Sequence, residues 1–197
     1  MKLNPLRAIS IATLVLGLLS VRVVSAQQPQ QAQRGPSTPE ERARAVKIAH
    51  DLENDPMAKG ADEQRDWVIR WIIEIPDITV DVCDEYFGKM PNPPTGHSKE
   101  IAQQMVISMA AYMIEHPGDA KNEQAIALSG LLGSIKSYQA ILKQEPASRW
   151  AVMDKLVMMR EQGKLDDFVA DTRRKCAQDN DEPDPDTMHA QVFSLLS

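Results

Sequence analysis

Four histidines, two cysteines and ten methionines are the less common side chains of this 197-residue sequence that could ligate a metal, beside 28 carboxylates. Their spacing limits that role. His50, His97, His116 and His189 are scattered, with no His-x-x-x-His and no Glu-x-x-His pair, so the helical spacing of zinc and di-iron sites is missing. His50 has Glu53 and Asn54 one turn on, which reads as an exposed hydrogen-bonding group. Met105, Met109 and Met113 fall at i, i+4 and i+8, and Met153, Met158 and Met159 cluster later; in an exported protein such thioethers could hold copper(I). Without interleaved cysteine or histidine, and on otherwise apolar helices, they read as gap-filling core residues. Asp179, Asp181, Glu182, Asp184 and Asp186 lack the glycine and final glutamate of a calcium loop and read as a charged tail. No nucleophile elbow, phosphate loop or dinucleotide fingerprint occurs, and the carboxylates are too dispersed to nominate a catalytic pair. The expectation is a non-enzymatic protein with no cofactor, no metal site and no catalytic residue.

The chemistry of Cys83 and Cys176 depends on the compartment. The chain begins with Lys2 and Arg7, continues through an apolar run and leaves it through small residues, with Val24 and Ala26 placed for a signal peptidase. Arg22 cuts the run short of the roughly 20 apolar residues a membrane span needs. Residues 1–26 are therefore expected to be a cleaved signal peptide, giving a periplasmic or secreted protein with no stable membrane insertion. No cysteine near the cleavage point could carry a lipid. In an oxidising compartment the pair Cys83–Cys176 reads as a structural disulfide, since a redox couple usually sets its cysteines two apart. The loop closed would be about a hundred residues, worth about 4–5 kcal/mol in the chain-entropy account.

Loss of residues 1–26 removes three basic and no acidic residues, leaving 19 against 28 and a net charge of −9. An acidic chain without a basic stripe is a poor partner for a phosphate backbone, so no nucleic acid is expected. The remaining length, about 170 residues, suits one domain with a core of its own.

The elements that must position these residues are helical. Residues 27–37 are rich in Gln and Pro and form an expected disordered leader. Ser37 or Thr38 then caps a helix that starts with Pro39, Glu40 and Glu41 and carries Ala45, Ile48, Ala49 and Leu52 on one face. From about Ala61 to Ile75, Trp67, Trp71 and Ile75 repeat at i, i+4 and i+8 with Val68 and Ile72 beside them, a breadth of apolar surface expected at the centre of a bundle. Between Pro76 and Pro91 the pattern fits both strand and helix; helix is preferred, because a lone strand would have no partner. Ser98 opens the next helix, which stops at Pro117, and Asp119 to Gln144 forms the longest. Gly130 and Gly133 inside it imply the close approach of another helix, the tryptophan helix being the candidate. Two more helices follow, one holding Trp150, Met153, Leu156 and Val157, the other Leu165, Phe168, Val169, Thr172 and Cys176. The fold expected is an all-α bundle of about six or seven helices over residues 38–178, with an acidic tail at 179–197.

The stretch LLGSIKSYQAILKQEP, with Gly133, Tyr138, Ile141 and Pro146, resembles the second half of a tetratricopeptide unit, although no second copy accompanies it. WIIEIPDITVDVC and AAYMIEHP are similar to stretches of small, exported, helical bacterial proteins, a resemblance that implies no activity or site. Function is read as a protein- or peptide-binding module, with Tyr112, Tyr138 and Trp150 as the partner surface because aromatics with a polar edge serve interfaces. The alternative is a small-ligand carrier or enzyme whose site assembles from dispersed residues, as bundle sites do. A solvent-lined pocket would favour the alternative and an exposed apolar groove the module.

Overall fold

The first helix, α1 (Pro39–Asn54), starts where its sequence can satisfy its own amides. The Thr38 hydroxyl accepts from the Glu41 amide while the Glu41 carboxylate accepts from the Thr38 amide, and Pro39 fills the first turn. Ala45, Ile48, Ala49 and Leu52 face inward as their spacing requires. The computed structural model describes residues 34–88 and 96–180. The expected signal peptide, most of the leader, and the tail beyond residue 180 lie outside them. Within the leader, Arg34 and Ser37 belong to the fold: the Ser37 amide and hydroxyl donate to Asp77 at 2.9 and 2.7 Å, and Arg34 pairs with Glu41 and Glu74.

Gly60, at φ +84, turns the chain into α2 (Ala61–Glu74). Trp71 is buried, Trp67 stacks on it at 5.9 Å, and the Arg44 guanidinium lies 3.8 Å from the Trp67 ring centroid. Contrary to expectation α2 is not central. It packs on α1 and on α3 (Ser98–Glu115), and Ile73 remains 57% exposed. The centre is α3 with α4 (Glu123–Gln144), whose mutual interface is the most extensive in the fold. α4 is long and apolar enough to cross a membrane, yet 61% of its most apolar window is buried within the bundle.

Gly130 and Gly133 do permit close approach, but by α3 and not by the tryptophan helix. A Cβ on Gly130 would lie 2.9 Å from the Met105 carbonyl oxygen, and one on Gly133 would collide with the Ser108 side chain. The tetratricopeptide-like stretch is the later part of this one helix. α5 (Ala151–Glu161) and α6 (Leu165–Asn180) complete six α-helices among the described residues, and no strand occurs there. The architecture is the expected all-α bundle.

The helix expected after Pro76 is absent. Residues 75–83 are non-helical and lead into a short 3₁₀ turn, Asp84–Tyr86. Ile78 is buried, Thr79 and Asp81 are exposed, and Val80 is half-buried against the core, so the alternation of a strand is present without a sheet. Side-chain packing substitutes for a strand partner, together with two ties. At one end Asp77 accepts from Ser37 and from Arg42 at 2.6 Å; burial opposes its charge, but these donors prevail and hold its carboxyl at about 2. At the other end Cys83 is joined to Cys176 of α6, with Cα atoms 6.2 Å apart.

Candidate functional site

The disulfide that fastens this segment also forms part of a cavity of about 540 Å³. Thr79, Asp81, Cys83 and Tyr86 contribute one side, and Arg173, Cys176 and Ala177 of α6 another. Met109 and Met113 of α3, Ile126 and Ala127 of α4, and Ala120 and Lys121 of the connection between those helices complete the lining with Glu123. Helical periodicity puts Met109 and Met113 on one stripe, and Met105, one turn earlier, packs into the core under Gly130. The lining mixes apolar side chains with four charged ones, Asp81, Glu123, Lys121 and Arg173, two of each sign, with Arg173 bonded to Glu123. Burial, opposed by nearby Arg173 and reinforced by Asp81, pushes the Tyr86 hydroxyl up to about 12, so it stays protonated and can serve a ligand as a hydrogen-bond group. With both cysteines oxidised, the lining contains no nucleophile paired with a base.

Of the three aromatics expected to form a partner surface, one is buried and two are partly exposed. Tyr138 is fully buried: its hydroxyl donates to Asp154 at 2.8 Å and accepts from the Trp150 amide at 3.1 Å, joining α4 to the start of α5. Trp150 is half-buried and stacks on Phe87 at 5.6 Å. Tyr112 stacks on His116 at 4.3 Å near the other end of α3. Gly130 meets Met105 and Ser134 bonds to the Ile101 carbonyl, so α4 runs antiparallel to α3 and Tyr112 stands about four turns, roughly 22 Å, along α3 from the level of Tyr138.

A second polar constellation, at the junction of α1, α3 and α4, was only partly legible. Glu53, buried, accepts from Ser108 Oγ at 2.8 Å and from Lys136 Nζ at 3.3 Å, and Ser108 accepts from Gln104, which also donates to the Ala49 carbonyl. His50 contacts Glu53 at 3.3 Å and Glu115 at 3.0 Å, as its expected hydrogen-bonding role implied. The hydroxyl of Ser108 faces the carboxylate and not the imidazole, so this is a structural network and not a hydrolytic triad.

Sequence reasoning missed the rim charges because they come from three distant segments. One signal was available: pairing Cys83 with Cys176 brings their sequence neighbours Asp81 and Arg173 to the same patch. No group of three or more His, Cys, Asp or Glu side chains suited to a metal occurs among the described residues. No family model matches the chain, and no curated protein or solved structure is significantly similar to it.

Proposed function

We propose that this is an exported, non-enzymatic carrier of a small amphiphile, held in the cavity beside the disulfide. One observation carries the reading: a cavity of about 540 Å³ is lined by two methionines and other apolar side chains together with two acids and two bases. That volume lies in the range of about 300–1,000 Å³ typical of small-molecule sites. The apolar body of the ligand rests on Met109, Met113 and Ile126, while the balanced rim favours a zwitterionic head over one of single sign. Burial of Tyr138 withdraws one of the three aromatics proposed for a protein- or peptide-binding surface, which favours the carrier. Export rests on the signal-like N-terminus, and the disulfide fits an oxidising compartment. The acidic balance argues against nucleic acid.

The test uses protein prepared from an oxidising compartment and titrated with dodecylphosphocholine, dodecyl sulfate and dodecyltrimethylammonium, each below its micellar concentration. Saturable one-to-one uptake, strongest for the zwitterion and lost in Met113→Trp with the helical signal intact, is expected. Failure of the folded protein to bind any of the three would end the carrier reading. Capture of a specific protein partner that Trp150→Ala abolishes without unfolding would restore the binding module.

A further inference from the structure

Tyr86 is only 3% exposed and packs in the main core, yet it also lines the cavity beside the disulfide. A buried tyrosine hydroxyl is normally bonded, as that of Tyr138 is to Asp154 and to the Trp150 amide. The hydroxyl of Tyr86 has no hydrogen-bond partner among the described residues. Its oxygen is not sealed in the core either, so it opens on the cavity. The charges that act on it are Arg173 and Asp81, both in the same lining.

The chain holds this hydroxyl in place from both sides. The Tyr86 amide donates to the Cys83 carbonyl at 3.4 Å, Cys83 is bonded to Cys176 of α6, and Phe87 stacks on Trp150. A group fixed in this way meets a ligand without first having to be ordered. Asp81 and Lys121 are exposed, whereas Met109 and Ile126 are buried, and Tyr86 has its ring in the core and its hydroxyl within reach of the charges. An amphiphile with its head at the charges and its body on the apolar lining would bring to Tyr86 the group that joins the two. A phenol donates strongly and accepts weakly, because its oxygen shares a lone pair with the ring, so the group that suits it is an acceptor without a proton.

We infer that Tyr86 is the specificity-determining residue of the cavity, donating a hydrogen bond to the carbonyl oxygen of an acyl amphiphile and so selecting it over an alkyl amphiphile that lacks the carbonyl. The inference rests on the carrier reading and narrows its ligand class. A ligand without the acceptor leaves a buried donor unpaired, which is how a site built around a hydrogen bond rejects a close analogue.

The protein prepared from an oxidising compartment and its Tyr86→Phe variant are each titrated with lauroyl lysophosphatidylcholine and with its dodecyl ether analogue, which differ only in the carbonyl. The native chain is expected to bind the ester about tenfold more tightly than the ether, and that ratio to fall to about one in the variant. The urea midpoint of the unliganded variant is expected to equal or exceed that of the native chain, because the hydroxyl removed has no partner to lose. Equal binding of ester and ether by the native chain would overturn the inference and leave the carrier standing, as would an ester preference that survives in Tyr86→Phe. A variant that unfolds or melts at clearly lower urea would mean that the hydroxyl is bonded within the fold, which also overturns it. Uptake of neither ligand by the folded native chain would remove the carrier reading and the inference with it.

Discussion

A Cβ on Gly130 would meet Met109 Cγ at 2.5 Å and both Met105 Cγ and the Met105 carbonyl oxygen at 2.9 Å, and the backbone oxygen cannot rotate away. Gly130→Ala is therefore expected to lose about 1–3 kcal/mol by overpacking α3 against α4, outweighing the helix propensity gained. Gly118→Ala, where nothing lies within 4 Å, is the control and should change stability little. Equilibrium urea unfolding of both variants checks the contrast. His50 provides a pH signature at the same scale. Its bond to Glu115 raises its pKa, desolvation opposes this, and Glu53 adds to the rise. A group whose folded pKa is raised stabilises fully below its unfolded pKa, here 6.5, and that stabilisation disappears as pH rises through the folded value. Urea midpoints of the native chain and His50→Gln are thus expected to differ most near pH 5.5 and to converge by pH 8.5. A constant difference would exclude protonation as its source.

The helices were legible because their signals are local: a cap at Thr38 followed by Pro39, Glu40 and Glu41, and stripes at helical spacing. Which helix lies at the centre was not. Hydropathy favoured α2, whose Ile73 is exposed, and undervalued α3, whose Gln104 and Ser108 are buried because they bond to α1 and to each other. Glu53 and Ser108 are 55 residues apart, and no local pattern announces such a partner. The segment 75–83 was misread for a related reason, since its ties to Ser37 and Cys176 lie outside any window that periodicity can examine. The disulfide itself was read correctly, the chain having only two cysteines. Reduction should leave the six helices formed while releasing the segment 78–86. Amide exchange there is expected to accelerate well before exchange in α3 and α4, and global stability to fall by about 4–5 kcal/mol from the loss of a 93-residue closure. Uniform acceleration would show that the segment and the bundle form one cooperative unit.

For the molecule as a whole, composition, charge and cysteine arithmetic indicated the class, but the candidate site exists only after folding brings residues 79–86, 109–127 and 173–177 together. The bond between Cys83 and Cys176 also divides the chain mechanically. α3, α4 and α5 lie inside a covalent ring together with most of α6, whereas α1 and α2 lie on an arm outside it. Tension applied to the two ends runs through the disulfide and bypasses the central helix pair, so only the arm and the chain beyond Cys176 can be drawn out. Single-molecule stretching in oxidising buffer should therefore stop about 330 Å short of the contour reached after reduction, the extended length of a sequence separation of 93. A machine pulling this protein from either end, whether a translocase or a processive protease, would meet a loop three helices wide where it expects a single strand.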